Sequence, residues 1–152
     1  IEGASWAEIK TALPAVAAYA QEFRPSTFSA SLAARIELAL SVVAHADGIE
    51  DASERVYQLV GAGVSTIESV PAAIAMVDLA KGCPNRCAEL CANLGGDTDT
   101  IGAMATAICG ALQGVDAIKK EWLDTLKKTN PIDMTRYSMA FEQFRAQWQE
   151  SK

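Results

Sequence analysis

No run of basic residues stands out in this chain. Its 13 lysines and arginines are outnumbered by 19 aspartates and glutamates, a formal net charge of -6. Nothing here tracks a phosphate backbone, so nucleic acid is not an expected partner, and the acidic balance mainly serves solubility. Aromatic residues make up only 7% of the chain. Val, Ile and Thr are sparse beside alanine, which favours closely packed helices over strands. No apolar run is long and clean enough to cross a bilayer. The most apolar segment, residues 67–80, carries Glu68, Pro71 and Asp78, so no membrane partner is expected. The opening residues Ile1-Glu2-Gly3-Ala4-Ser5 lack the basic and apolar regions of a signal peptide, which points to the cytoplasm. The first residue is not Met, as expected for a piece of a longer chain or for a trimmed complete one. Histidine occurs once, at position 45. No Ser/His/Asp or Cys/His set can be assembled around it, and a lone His near a helix end reads as a cap or surface residue. Internal repeats, low-complexity tracts and linkers are also missing, so one compact all-α unit of 152 residues is the simplest reading.

What is present is helical punctuation. A first helix is predicted from Trp6 to about Phe23, with Pro14 inside it as a kink or break, and 24–26 as a turn. Leu32, Ile36, Leu40 and Val43 form a stripe ending near His45. Gly48 is placed to close that helix in the left-handed region. Further helices are expected at 52–60, 66–79, 84–92, 98–112, 117–128 and 132–149. Gly61-Ala62-Gly63, Lys81-Gly82, Gly95-Gly96, Gln113-Gly114 and Asn130-Pro131 serve as breaks, with Pro84 in a first turn.

Cys83, Cys87 and Cys91 are spaced by four, and Cys109 makes four thiols. The CxxC pairs of a thiolate metal site are missing, so free buried thiols are expected. Trp6, Trp122 and Trp148 read as packing anchors, and Lys119, Lys120, Lys127 and Lys128 as a solvated helix face.

The informative segment is Gly95-Gly96-Asp97-Thr98-Asp99-Thr100. Residues two apart do not share a helix face. Asp97 and Asp99 converge only where Asp97 still lies outside the regular turn, a sharp start that two glycines permit. Such a start gathers oxygen donors at the positive end of a helix. Two carboxylates and a hydroxyl suit Mg²⁺ or Mn²⁺ better than zinc. The same residues also fit a plain helix start, with Asp97 as N-cap and Asp99 favoured by the dipole.

The run 93–101, the Ala/Gly-rich helix after it and Gly110-Ala111-Leu112-Gln113-Gly114 together resemble the last metal-binding motif of the ADP-ribosylglycohydrolase family. Upstream, Val60-Gly61-Ala62-Gly63-Val64 followed by Glu68-Ser69-Val70-Pro71-Ala72-Ala73 is similar to that family's glycine loop and following helix. Weaker similarity, as in Ser31-Leu32-Ala33-Ala34-Arg35-Ile36, extends over most of the chain. The resemblance implies an all-α, compact orthogonal helical bundle, with residues 1–152 as the carboxyl-terminal half of the family's domain. It implies two divalent metal ions, Mg²⁺ or Mn²⁺, with Asp97, Asp99 and Thr100 among their ligands. Gly63 and Val64 become candidate contacts to ADP-ribose, with a plain helix connector as the other reading of that loop. Glu68 reads as a capping or supporting residue. The catalytic acid and the remaining ligands are expected from the amino-terminal half, which is also the expected partner, so residues 1–152 alone should bind metal weakly and catalyse nothing. The implied activity is metal-assisted release of ADP-ribose from a modified protein side chain or a related small molecule. The rivals are an inactive ADP-ribose-binding or crystallin-like structural protein on the same fold, and a glycohydrolase for another nucleoside-type substrate.

Overall fold

A computed structural model describes residues 3–23, 29–130 and 132–150, the side chain of Glu150 excepted. The turn expected at 24–26, Pro131 and the opening Ile1-Glu2 lie outside the described residues. Those described are helical, with no strand among them. In chain order they form α1 (Trp6–Glu22), α2 (Leu32–Ala44), α3 (Ile49–Arg55), α4 (Thr66–Ala80), α5 (Pro84–Leu94), α6 (Thr98–Gln113), α7 (Lys120–Thr129) and α8 (Met134–Glu150). A π-helical turn (Val56–Val60) continues α3, and a 3-10 turn (Val115–Ala117) follows α6.

Local sequence explains most boundaries. Ser5 caps α1 in a reciprocal box with Glu8: the Ser5 hydroxyl accepts from the Glu8 N–H, and the Glu8 carboxylate accepts from the Ser5 N–H. Pro14 lies within α1, which runs on through it. Ser31 caps α2 through the Ala34 N–H. His45 ends α2, with its ring Nδ1 2.9 Å from the Ser41 carbonyl, as a helix-end residue does. Pro84 opens α5 at its first position, where a missing N–H costs nothing.

Three boundaries depart from expectation. Gly48, at φ 103° and ψ -174°, is not a left-handed closing residue but the N-cap that starts α3 at Ile49, three residues earlier than predicted. The amphipathic helix expected from 117 starts at Lys120, because the 3-10 turn and an extended Ile118 come first. At the end of α4 the left-handed position falls on a lysine. Lys81 has φ 54° and ψ 39°, its N–H bonds the Asp78 carbonyl, and the Gly82 N–H bonds the Val77 carbonyl. This is a Schellman closure with a non-glycine residue at its costly position.

The single compact unit expected from the sequence divides into two, Ile1–Ile118 and Lys119–Lys152. In the first, α4 is the axis. Ser69, Pro71 through Val77 and Ala80 are all buried. A helix apolar on every side belongs in the middle of a core, and α2, α5, α6 and the π turn pack around it. Alanines at 39, 72, 73, 75, 80 and 105 keep the helix axes close. Burying Met76, Val77 and Ile101 contributes about 1.5–3 kcal/mol each. Trp6 packs against both core clusters and donates its indole N–H to Asp78 at 2.7 Å, with Lys10 on the same carboxylate at 2.9 Å, so α1 is tied to α4. The second unit, α7 and α8, buries no residue among those described. Within it the Lys119 ammonium lies 4.6 Å from the Trp122 ring centre.

The four cysteines are free. Cys87, Cys91 and Cys109 are buried between α5 and α6, and Cys83 at the start of α5 is partly exposed. Hydrogen bonding to Cys109 and Cys91, with burial added, pushes the Cys87 thiol up, away from the reactive thiolate. None of the described helices is long and apolar enough to cross a membrane.

Candidate functional site

The start of α6 is built by two glycines at positive φ. Gly95 and Gly96 have φ of 89° and 69°, and Asp97, at φ -83° and ψ 60°, stands outside the regular turn as the N-cap. It holds the N-cap position, as the plain helix-start reading has it, but its carboxylate makes no capping bond to the helix. Instead it meets Asp99. A side-chain hydrogen bond with Asp97, then the backbone N–H groups of Thr100 and of Asp99 itself, hold the Asp99 carboxyl below the usual carboxylate range. Asp97 is half-buried, and Asp99 and Thr100 are exposed. The carboxylates of Asp97 and Asp99 and the hydroxyl of Thr100 are hard-oxygen groups of the kind that Mg²⁺ and Mn²⁺ take. Among the described residues no group of three or more His, Cys, Asp and Glu could hold a metal ion.

Loop 61–64 lies directly against this start. The Asp97 N–H donates to the Ala62 carbonyl at 2.7 Å. A Cβ added at Gly96 would collide with that same carbonyl, so only glycine lets the two backbones approach. The aromatic ring of Tyr57, on the π turn, covers Gly95, where an added Cβ would sit 3.3 Å from it. Beside Tyr57, a groove of about 570 Å³ runs between α3 and α5, lined in part by Ile49, Glu50, Leu90 and Asn93.

The loop is shaped by two side chains. Glu68, in the first turn of α4, reaches back and accepts from the Gly63 N–H at 2.9 Å. That carboxylate fills the space next to Gly61 and Gly63. Glu68 is therefore a supporting residue, as its position suggests. The Gly63 N–H is thereby committed, so a ligand contact at Gly63 falls to its Cα or carbonyl. Val64 is 85% exposed at the rim of the loop.

Arg35 is the second shaper, and its role is invisible in the linear sequence. Pro71 has no N–H to offer the Ile67 carbonyl four residues back. Arg35 supplies the missing donor through Nε, at 3.4 Å. Its two terminal nitrogens go to the Leu59 and Val60 carbonyls at the end of the π turn. One guanidinium thus holds the loop from both sides. The only sequence signal is Pro71, which leaves a carbonyl unpaired without saying which donor will find it.

The sequence model of the family described as ADP-ribosylglycohydrolase matches residues 1–150. The chain is 61% identical over 147 residues to "Uncharacterized protein YegU" of Escherichia coli (strain K12), an alignment covering 97% of this chain and 44% of that protein. It is 40% identical over 79 residues to "ADP-ribosylhydrolase ARH3" of Danio rerio, covering 45% of this chain and 21% of that one. Against the Homo sapiens protein of the same name it is 32% identical over 103 residues, covering 57% and 26%. The chain thus spans less than half the length of these curated relatives. No solved structure matches it significantly.

Proposed function

The chain belongs to the ADP-ribosylglycohydrolase family, and from that premise we propose that it supplies part of the active site of a metal-dependent hydrolase. The substrate is an ADP-ribosylated protein side chain or a related ADP-ribose-bearing small molecule, and the product is ADP-ribose. Residues 1–152 are read as the carboxyl-terminal half of the family's domain, working in the cytoplasm with the amino-terminal half as its partner.

The observation that carries this reading is the join between the two glycine-rich segments. The hydrogen bond from Asp97 to Ala62 sets a candidate ligand pair and a candidate substrate loop side by side. Asp97, Asp99 and Thr100 would hold one edge of a pair of Mg²⁺ or Mn²⁺ ions. Bound there, the ions supply positive charge where the glycosidic bond parts. The chain's own residues bind and orient. The two carboxylates fix the position of that edge, Val64 and the exposed side of Gly63 meet the ADP-ribose, and Glu68 and Arg35 hold the loop still while they do so. The proton-transferring carboxylate comes from the part of the domain that this chain does not span.

The test is ADP-ribose release from arginine- and serine-modified peptides by the full domain, with Mg²⁺ or Mn²⁺. Activity that disappears in Asp97→Ala and in Asp99→Ala, with fold retained by circular dichroism, is the expected result. A full domain that binds both metals and ADP-ribose yet releases nothing would overturn the hydrolase and leave a binding protein.

A further inference from the structure

The α5–α6 pair holds three thiols that the candidate site does not use. Cys87, Cys91 and Cys109 are free, buried and part of one core cluster. Two close approaches give the register of the helices. A Cβ added at Gly102 on α6 would lie 3.5 Å from the Cys91 Cβ. One added at Gly82, just ahead of α5, would lie 3.4 Å from a Leu112 methyl. The two helices therefore run antiparallel, and Cys87 and Cys109 both fall between those two points. Side chains lean toward the N-terminus of their own helix. In this antiparallel register Cys87 and Cys109 lean toward each other. Cys109 is accordingly the first hydrogen-bond neighbour of the Cys87 thiol, ahead of Cys91.

We propose that Cys87 and Cys109 are an oxidative modification site, at which a peroxide couples them into a cross-helix disulfide. The ring so closed, residues 87–109, contains Gly95, Gly96, Asp97, Asp99 and Thr100. The disulfide thus ties the base of the helical hairpin whose turn carries the candidate ligands. Hydrogen bonding from Cys87 holds the Cys109 thiol below its ordinary range, which makes Cys109 the sulfur that reacts first. Hydrogen peroxide is small enough to enter on brief openings of the helix pair. The Cys109 sulfur attacks one peroxide oxygen, the O–O bond breaks, and the Cys109 proton leaves with the other oxygen as water. The Cys87 sulfur then attacks the Cys109 sulfenic acid, the S–O bond breaks, and the Cys87 proton leaves with the hydroxide as a second water. Two thiols are oxidised and one peroxide is reduced. Packing selects this pair. In an unfolded chain the shortest loops, Cys83–Cys87 and Cys87–Cys91, close most readily. Within the folded α5 the Cβ bonds of Cys87 and Cys91 run side by side, a poor start for a disulfide. The proposal concerns sulfurs and helix packing alone, so it stands or fails apart from the hydrolase reading.

The experiment exposes the folded full chain, at low concentration, to hydrogen peroxide and then alkylates the remaining thiols in denaturant. Digestion after acidic residues cuts at Glu89, between Cys87 and Cys91, and at Asp97 and Asp99, ahead of Cys109. Mass spectrometry should find the Cys87 and Cys109 fragments joined, with Cys91 alkylated. Urea unfolding should show a midpoint that rises on oxidation and returns with a reductant. A ring of this size lowers the unfolding constant by about a hundredfold. Cys109→Ala should abolish both the cross-link and the gain, and Cys91→Ala should keep both, with circular dichroism checking the fold of each. Any other pairing of the sulfurs, a Cys109 that stays alkylatable after prolonged exposure, or an oxidised chain no more stable than the reduced one would each overturn the assignment.

Discussion

Helices α4 and α8 are nearly equal in length, 15 and 17 residues, and live in opposite surroundings. Helix α4 is buried along most of its length, contains a proline and is still the axis of the core. Helix α8 contains more aromatic residues and no proline, and buries none of its described side chains. Aromatic content therefore does not decide which helix is held in place, since α4 has no aromatic residue and is apolar around most of its circumference, whereas α8 intersperses its aromatics with charged and amide side chains. The number of neighbours sharing the apolar surface does, and α4 has them on every side. The candidate site sits at the well-held end of this contrast, on loops fastened to α4 and α6.

The sharpest way to break the contrast is a pair of truncations. Met76→Ala on α4 should cost about 2–5 kcal/mol through lost burial and a cavity. Phe141→Ala on α8 should stay within about 0.5 kcal/mol in the same chain. Urea unfolding of both variants measures this, and equal losses would mean that α8 is packed after all. Next comes Gly96→Ala. It forces a side chain into left-handed backbone and against the Ala62 carbonyl, for a combined loss of about 3 kcal/mol. Hydrogen exchange should then quicken at the Asp97 amide, whose bond to Ala62 is displaced. Arg35→Met should cost about 2 kcal/mol, because the Leu59, Val60 and Ile67 carbonyls lose their shared donor. Arg35→Lys should recover only part of this, since an ammonium cannot reproduce the planar fork, and paired thermal melts would separate the two. The smallest effect has the opposite sign. Lys81→Gly relieves the left-handed residue that closes α4 and should stabilise by about 0.5–1 kcal/mol, read as a rise in Tm.

Much of this architecture was legible before the fold was known, because glycine and proline mark turns by their own backbone chemistry. Gly95-Gly96 announced that Asp97 would stand outside the helix, and it does. The start of α5 followed from Pro84 in the same way. The site was legible less completely. Residues 62 and 97 are joined by a hydrogen bond that no local pattern specifies, and only the family resemblance set their segments in one place. The π turn at 56–60 has no composition of its own. Arg35 was hidden because its three acceptors are carbonyls, which every residue has. The division at Lys119 has no local mark either, because an amphipathic aromatic helix reads as buried whichever unit it belongs to.

The placement of the cysteines gives the first unit a gauge of its own opening. A thiol reagent meets Cys83 at the surface of the native chain, but reaches Cys87, Cys91 and Cys109 only when α5 and α6 part. The count of modified sulfurs against time thus separates surface reaction from the rate at which the scaffold beneath the aspartates breathes, without adding any probe.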